Sequence, residues 1–256
     1  MKYVLPIILL LLFFSCNDAK QNSLQVQQTE KMLPSSLINQ SIEAAGLHRL
    51  ANSDIAFTFR DVRYSASRSN GQFSLLRRFE KGNQLVVDSL TNDGFTRHLN
   101  AELVHVPDSM VTKYAASVNS VHYFSVLPYG LNDPAVNYEV LDEVFIKNKL
   151  YQTLQVTFDQ VGGGEDFEDV FVYWINKDSK TVDYLAYSYE ESDGKGIRFR
   201  EAYNVRTIEG VKFVDYNNYK PKSKFIALTD LPVLFQSERL ELVSKIELDS
   251  IAVVLN

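Results

Sequence analysis

At 256 residues, with hydrophobic residues at 45% and aromatics at 12%, the chain has ample apolar material for a packed core, which excludes wholesale disorder. Its formal net charge is −6 and basic residues cluster only in short pairs such as Arg77-Arg78, so no nucleic-acid partner is expected. A single cysteine, Cys16, cannot form an internal disulfide, and no Cys/His set has zinc spacing, so neither a metal nor another cofactor is expected.

The amino terminus carries Lys2 and then an apolar run from Val4 to Phe14. That run is too short to span a hydrocarbon core, which needs roughly 20 helical residues. A charged start, a short apolar stretch and a small residue at its end describe an export signal. Phe13-Phe14-Ser15-Cys16 resembles the lipobox of bacterial lipoproteins, in which a small residue precedes the modified cysteine, although Leu is commoner than Phe at the position of Phe13. The resemblance implies a signal peptide over residues 1–15, diacylglycerol on the Cys16 sulfur and membrane attachment through it. A plain secretory signal with an incidental cysteine and an uncleaved anchor are the alternatives. Several acyl chains, at about 0.8 kcal/mol per buried methylene, hold a protein stably where one chain is marginal. Residues 16–33 are polar, rich in Gln and Asn and without apolar periodicity, and read as a flexible tether.

Residues 34–256 are expected to form one domain. Pro34 and Ser35-Ser36 suit a helix start, Leu37, Ile38, Ile42 and Ala45 recur at helical spacing, and Gly46 suits the end. The period then becomes two. Ile55, Phe57 and Phe59 alternate with smaller or polar residues, and "SNG" at 69–71 is a hairpin signal before Phe73, Leu75, Arg77 and Phe79. "KGN" and "NDG" punctuate two further strands, around Leu85–Leu90 and Phe95–Val106. Asp108 is a candidate N-cap for a second helix through Val111, Tyr114, Ala115 and Val118. Pro128, Gly130 and Pro134 then predict an irregular crossover.

The second half reads as a run of hairpins. Strands are expected near Tyr138–Ile146, Leu150–Gln160, Asp169–Asn176, Thr181–Glu190, Gly196–Arg206 and Val211–Lys220. Short connections make consecutive strands antiparallel. A less regular segment containing Pro221 and Pro232 follows, then a last strand around Glu241–Leu248. "VFVYWI" and "VDYLAYSY" place large side chains on both strand faces, so the second face needs a cover: helices, a lipid-like ligand or a partner. Ten or so strands curl rather than stay flat. The expected fold is therefore mainly β with two or so helices: a strongly curved antiparallel sheet, an incomplete β-barrel with helices across its concave side.

The stretches "YEVLDEVFIKNKLYQTLQVTFDQ", "DVFVYWINKDSKTVDYLAYSYEE" and "RFREAYNVRTIEGVKFVDYNNYKP" resemble the outer-membrane lipoprotein-sorting (LolA/LolB-like) superfamily. "LPYGLNDP" and "GGGEDFEDVFVYWIN" are similar to segments of an uncharacterised family of Bacteroidetes lipoproteins. The resemblance covers roughly Leu37 to Pro221. It implies an incomplete barrel whose apolar concave face can hold acyl chains under a helical lid. It carries over no functional residue.

Candidate chemistry is sparse. The three glycines of "VGGGEDFED" lack the Lys-Ser/Thr and helix of a phosphate loop. Glu165, Asp166, Glu168 and Asp169 offer hard oxygens for calcium without EF-hand spacing, and a solvated hairpin loop is the favoured reading. The four histidines, His48, His98, His105 and His122, are scattered, and His122 beside the crossover is the one to follow. No nucleophile elbow or zinc-protease motif occurs, so no enzyme activity is expected. The candidate ligand cavity is aromatic: Tyr173, Trp174, Tyr184, Tyr187 and Tyr189, with Phe57, Phe59 and Phe79 opposite. The expected function is a lipid-anchored cell-envelope protein, at the outer membrane facing the periplasm, that binds a lipid or acyl ligand. The competing class is an interaction module with a filled core that docks an envelope protein partner, and a hydrolase comes third.

Overall fold

Two-residue turns cut most of this chain into hairpins. The computed structural model describes residues 33–162, 167–191 and 194–256, which belong to one compact unit. The expected signal segment, Cys16, residues 17–32 of the expected tether, and residues 163–166 and 192–193 lie outside the described residues.

Helix α1 (Pro34–Ala44) leads into β1 (Ser53–Phe59), β2 (Val62–Ser69), β3 (Gln72–Lys81) and β4 (Gln84–Thr91). Next come β5 (Gly94–Leu99), β6 (Glu102–Val104), α2 (Asp108–Ser125), β7 (Val136–Val140), β8 (Val144–Ile146) and β9 (Lys149–Phe158). The chain ends with β10 (Val170–Asn176), β11 (Val182–Glu191), β12 (Gly194–Ile208), β13 (Val211–Pro221), α3 (Leu231–Gln236), β14 (Leu240–Ile246) and β15 (Leu248–Leu255).

The turns explain where the strands stop. Asn70 and Gly71, at φ 50° and 78°, form a left-handed two-residue turn between the paired residues Ser69 and Gln72. This geometry matches the twist of the flanking strands, which is why Asn-Gly is a strong hairpin signal. The same geometry recurs at Asn100-Ala101, at φ 49° and 72°, without a glycine. It breaks the expected strand Phe95–Val106 into β5 and β6. A turn at Arg60-Asp61 likewise separates β1 from β2. The expected strand Tyr138–Ile146 is also two strands, β7 and β8, both paired with β9.

The strands form two open antiparallel sheets among the described residues. The first has the order β15-β1-β2-β3-β4-β5-β6 and the second β14-β13-β12-β11-β10-β9-β7, with β8 also on β9. Neither closes into a barrel, and the mainly β, antiparallel architecture with packed helices is as expected. β15 pairs with β1 across nearly the whole chain, Val253 opposite Ile55. β14 and β15 are consecutive yet belong to different sheets, so the chain crosses the seam at Glu247.

Helix α1 buries Leu37, Ile38, Ser41 and Ile42 along one stripe. Its end is fixed by Gly46 at φ 71°, where a Cβ would lie 2.0 Å from the Gly210 carbonyl oxygen. Helix α2 starts with Pro107 at the N-cap, and Asp108 makes no capping bond. It lays Ala115, Val118, His122 and Ser125 against the first sheet. The larger core, with Ile38, Leu47, Phe57, Leu154, Tyr173 and Leu185, lies between the sheets and helices. A second core covers the other face of the second sheet. There Trp174, Tyr151, Tyr184 and Phe199 pack against Leu231 and Phe235 of α3, the helix that forms in the segment expected to be irregular. The second face is thus covered by the chain itself.

Candidate functional site

The C-terminal half of α2 stands off the second sheet and leaves a groove of about 650 Å³. Val121, Tyr123 and Phe124 of α2 form one side. Alternate residues of the strands form the other: Phe158 of β9, Phe171 of β10, Tyr187 and Tyr189 of β11, Arg200 of β12, Val214, Tyr216 and Asn218 of β13, and Ser244 and Ile246 of β14. Phe59 at the end of β1 and Leu248 at the start of β15 close it at the seam. The rings interlock. Phe171 stacks on Tyr187 at 5.4 Å between centroids, and Phe124 lies 5.3 Å from Tyr187. The Tyr123 and Tyr173 hydroxyls are hydrogen-bonded at 2.6 Å, which ties α2 to the sheet beneath the groove. Burial raises both phenols above their ordinary range and raises Tyr216 to about 12, so all three stay neutral.

Of the residues expected to line a cavity, Phe59, Tyr187 and Tyr189 do so. Tyr173 is buried below them. Phe57 is buried in the core, stacked on Tyr64 at 5.4 Å, and Phe79 sits half-buried on β3 beside Arg77. Neither reaches the groove. Trp174 and Tyr184 belong to the second core on the opposite face. Strand side chains alternate, so Tyr173 and Trp174 cannot share a face, nor can Tyr184 and Tyr187. Glu168 and Asp169 of the acidic loop stand at the groove edge, whereas Glu165 and Asp166 lie outside the described residues. Among the described residues, no group of three or more His, Cys, Asp or Glu side chains could hold a metal ion.

Residues 3–248 match a family of unknown function, DUF6503. The chain belongs to that family. No curated protein matches it. Among solved structures, this DUF6503 member is similar to a LolA superfamily protein from Nitrosomonas europaea, with a TM-score of 0.43, 10% identity, and coverage of 87% of this chain and 92% of that one. It is similar to an outer membrane lipoprotein-sorting protein domain from Vibrio parahaemolyticus, with a TM-score of 0.40, 11% identity, and coverage of 71% and 86%. It is also similar to the lipoprotein LppX from Mycobacterium tuberculosis, with a TM-score of 0.28, 13% identity, and coverage of 63% and 89%. At these scores the functional reading rests on the groove itself.

The lining residues absent from the expected set are mostly those of β12, β13 and β14, together with Phe124 and Phe171. In "GIRFREAY" the apolar and charged phases alternate, with Ile197 and Phe199 in the second core and Arg200 toward the groove. An arginine on an inward phase reads from sequence as a solvent-facing one.

His122 is 2% exposed, edge-on to Phe57 and Tyr64, with Nε2 donating to the Leu76 carbonyl at 3.0 Å. Desolvation is the main reason its pKa falls to about 4, aided by the nearby Arg68 charge and opposed by the Leu76 bond. The folded value lies below the ordinary 6.5, so the neutral ring's contribution is complete above about pH 6.5 and is lost as the pH falls toward 4. Across that window the protein is expected to lose about 3 kcal/mol through this residue. Urea titrations at stepped pH, wild type against His122→Phe, check it: parallel stability curves between pH 7 and 5 would show that the ring does not titrate in this way.

Proposed function

We propose that this chain is a lipid-anchored cell-envelope protein that holds an apolar, chain-like molecule in the groove between α2 and the second sheet. The groove carries the reading. Its volume of about 650 Å³ falls within the range of about 300–1,000 Å³ typical of ligand pockets, and its walls are mainly aromatic and aliphatic. Packed interiors leave few voids larger than a water molecule, so a space of this size is not a packing residue. The lipobox-like Cys16 supports placement of this groove beside a membrane, where acyl chains are the abundant apolar ligand. Binding is the chemistry that these mainly aromatic and aliphatic walls support.

The test uses N-phenyl-1-naphthylamine, a neutral dye whose emission rises in apolar surroundings. The full chain is expected to bind it saturably, and Val214→Trp, which extends an indole into the open groove, is expected to weaken binding at least tenfold, about 1.4 kcal/mol. Dye binding that is non-saturable, or unchanged by Val214→Trp with thermal stability preserved, would sink the proposal.

A further inference from the structure

The sheet wall of the groove is apolar except for one polar row, while Arg60, Asn119, Ser120, Ser125, Glu168 and Asp169 supply the polar groups elsewhere on the lining. Arg200 on β12, Asn218 on β13 and Ser244 on β14 are register neighbours, Arg200 opposite Asn218 and Asn218 opposite Ser244, and all three line the groove. Arg200 is 7% exposed. Its Nη2 donates to the Tyr187 hydroxyl at 2.7 Å, while Nε and Nη1 are buried with no acceptor. Aromatic faces surround the guanidinium, Phe124 at 3.8 Å and Tyr187 at 5.1 Å, and among the described residues no carboxylate pairs with it. Glu168 and Asp169 also line the groove. Other buried charges are treated differently: Asp88 is held by Arg77 and Arg97, and Asp215 by Arg206. Arg68 is also buried without a carboxylate, but it lies outside the groove lining.

A guanidinium taken out of water keeps its charge and demands an anion, since its pKa is too high for it to shed the proton. Cation–π contact satisfies the face of the ion and leaves the in-plane N–H bonds unpaired. Asn218 carries the opposite orphan as placed: Nδ2 donates to the Ser244 hydroxyl at 3.2 Å, and the acceptor Oδ1 is buried without a partner. Turning the amide over exchanges its ends without changing its shape, so the row can present a second donor beside Arg200. Donors without acceptors in an apolar groove describe the binding end for an anionic head group.

We infer that Arg200 anchors the head group of an anionic single-chain amphiphile, a long-chain carboxylate, whose hydrocarbon tail occupies the aromatic groove. This rests on the chain-binding reading above and adds the ligand's charge and orientation. The carboxylate meets the guanidinium plane along an edge that Nη2 shares with Nε or Nη1, taking the Nη2 hydrogen that Tyr187 leaves free, with Asn218 beside it, and the Phe124 ring turns aside to admit the head. Arginine suits this task because its fork pairs with a planar carboxylate through two parallel bonds.

The experiment is competition on the full chain between N-phenyl-1-naphthylamine and two competitors of equal length, dodecanoate and dodecanol, at pH 8. Dodecanoate is expected to displace the dye at least tenfold more tightly than dodecanol. Arg200→Met is expected to erase that preference while leaving dodecanol unchanged, and its melting temperature should not fall, because an apolar chain of similar length replaces an unpaired ion. Equal affinity for acid and alcohol in the wild type overturns the inference without any variant, and so does a preference that survives Arg200→Met. If both competitors displace the dye equally, the groove reading stands and only the head-group assignment falls. If neither displaces it, both fall.

Discussion

Asp88→Ala is expected to cost about 3–5 kcal/mol of folding stability, a fall in melting temperature of roughly 10 °C for a chain of this size. Asp88 is 0% exposed and central to a row of three cross-strand neighbours: Arg77 on β3, Asp88 on β4, Arg97 on β5. Arg77 Nε donates to one carboxylate oxygen at 2.6 Å, and Arg97 donates Nε to the other at 2.6 Å and Nη2 to the first at 2.9 Å. The Arg97 guanidinium also lies 3.6 Å from the Tyr114 ring centroid, on the helix that roofs the row. Removing the carboxylate leaves two largely buried cations facing each other with no anion between them. That penalty, rather than the net worth of the pairs, sets the size of the effect. Asp88→Asn keeps the shape and loses the charge, so most of the destabilisation should remain in it. Urea midpoints for both variants check the argument, and a loss below about 1 kcal/mol in each would show that water solvates the row.

The same row illustrates what sequence can disclose. Arg77 and Asp88 each stand at an ordinary strand position, and only the register of β3, β4 and β5 makes them partners. The hairpins themselves are legible because their signals are local: Asn70-Gly71 reports its turn through the backbone conformation it tolerates. Asn100-Ala101 adopts the same turn with residues that do not advertise it, so β5 and β6 read as one strand, and the Arg60-Asp61 turn between β1 and β2 has no such local signal either. Helix α1 and the core of α2 are readable from their apolar spacing. Helix α3 is short, begins beside Pro232, and exists because the second face of the sheet needs Leu231 and Phe235. The pairing of β15 with β1 joins the two ends of the fold, and nothing local encodes it.

The groove shows the same division. Its aromatic character is visible in the composition of β10 and β11, but the parity of each strand is not, because both phases of "VFVYWI" are apolar. Trp174 and Tyr184 look as ligand-facing as Tyr187 until one phase is assigned to the second core. The polar row is harder still. Arg200, Asn218 and Ser244 are distant in sequence and meet only through strand register.

Asp215→Ala is expected to lower stability by about 3 kcal/mol and to weaken the groove for every ligand alike. Asp215, 2% exposed on β13, gathers the seam between the sheets. One oxygen accepts from Arg206 and from the Leu248 backbone N–H at 3.0 Å, and the other accepts from the Asn204 side chain at 2.6 Å. Arg206 in turn donates to the Leu248 carbonyl at 2.8 Å. The start of β15, on the first sheet, is thereby fixed to β12 and β13 on the second. A bulge between Tyr203 and Arg206 supplies the extra length that lets Asn204 and Arg206 converge on one carboxylate. Without the carboxylate, the Leu248 N–H loses its acceptor and the Arg206 charge its counter-ion, and both losses are costly away from water. The consequence reaches the groove because Val214 and Tyr216 flank Asp215 in the chain and Leu248 closes one end of the cavity. A loosened seam lets that end splay, which weakens contact with the hydrocarbon chain and leaves Arg200 in place. Dodecanoate and dodecanol should therefore lose affinity by the same factor, whereas Arg200→Met acts on dodecanoate alone. A selective loss of dodecanoate in Asp215→Ala would show that the seam positions the head-group site, contrary to the geometry in which Arg200 is held by Tyr187 and Phe124.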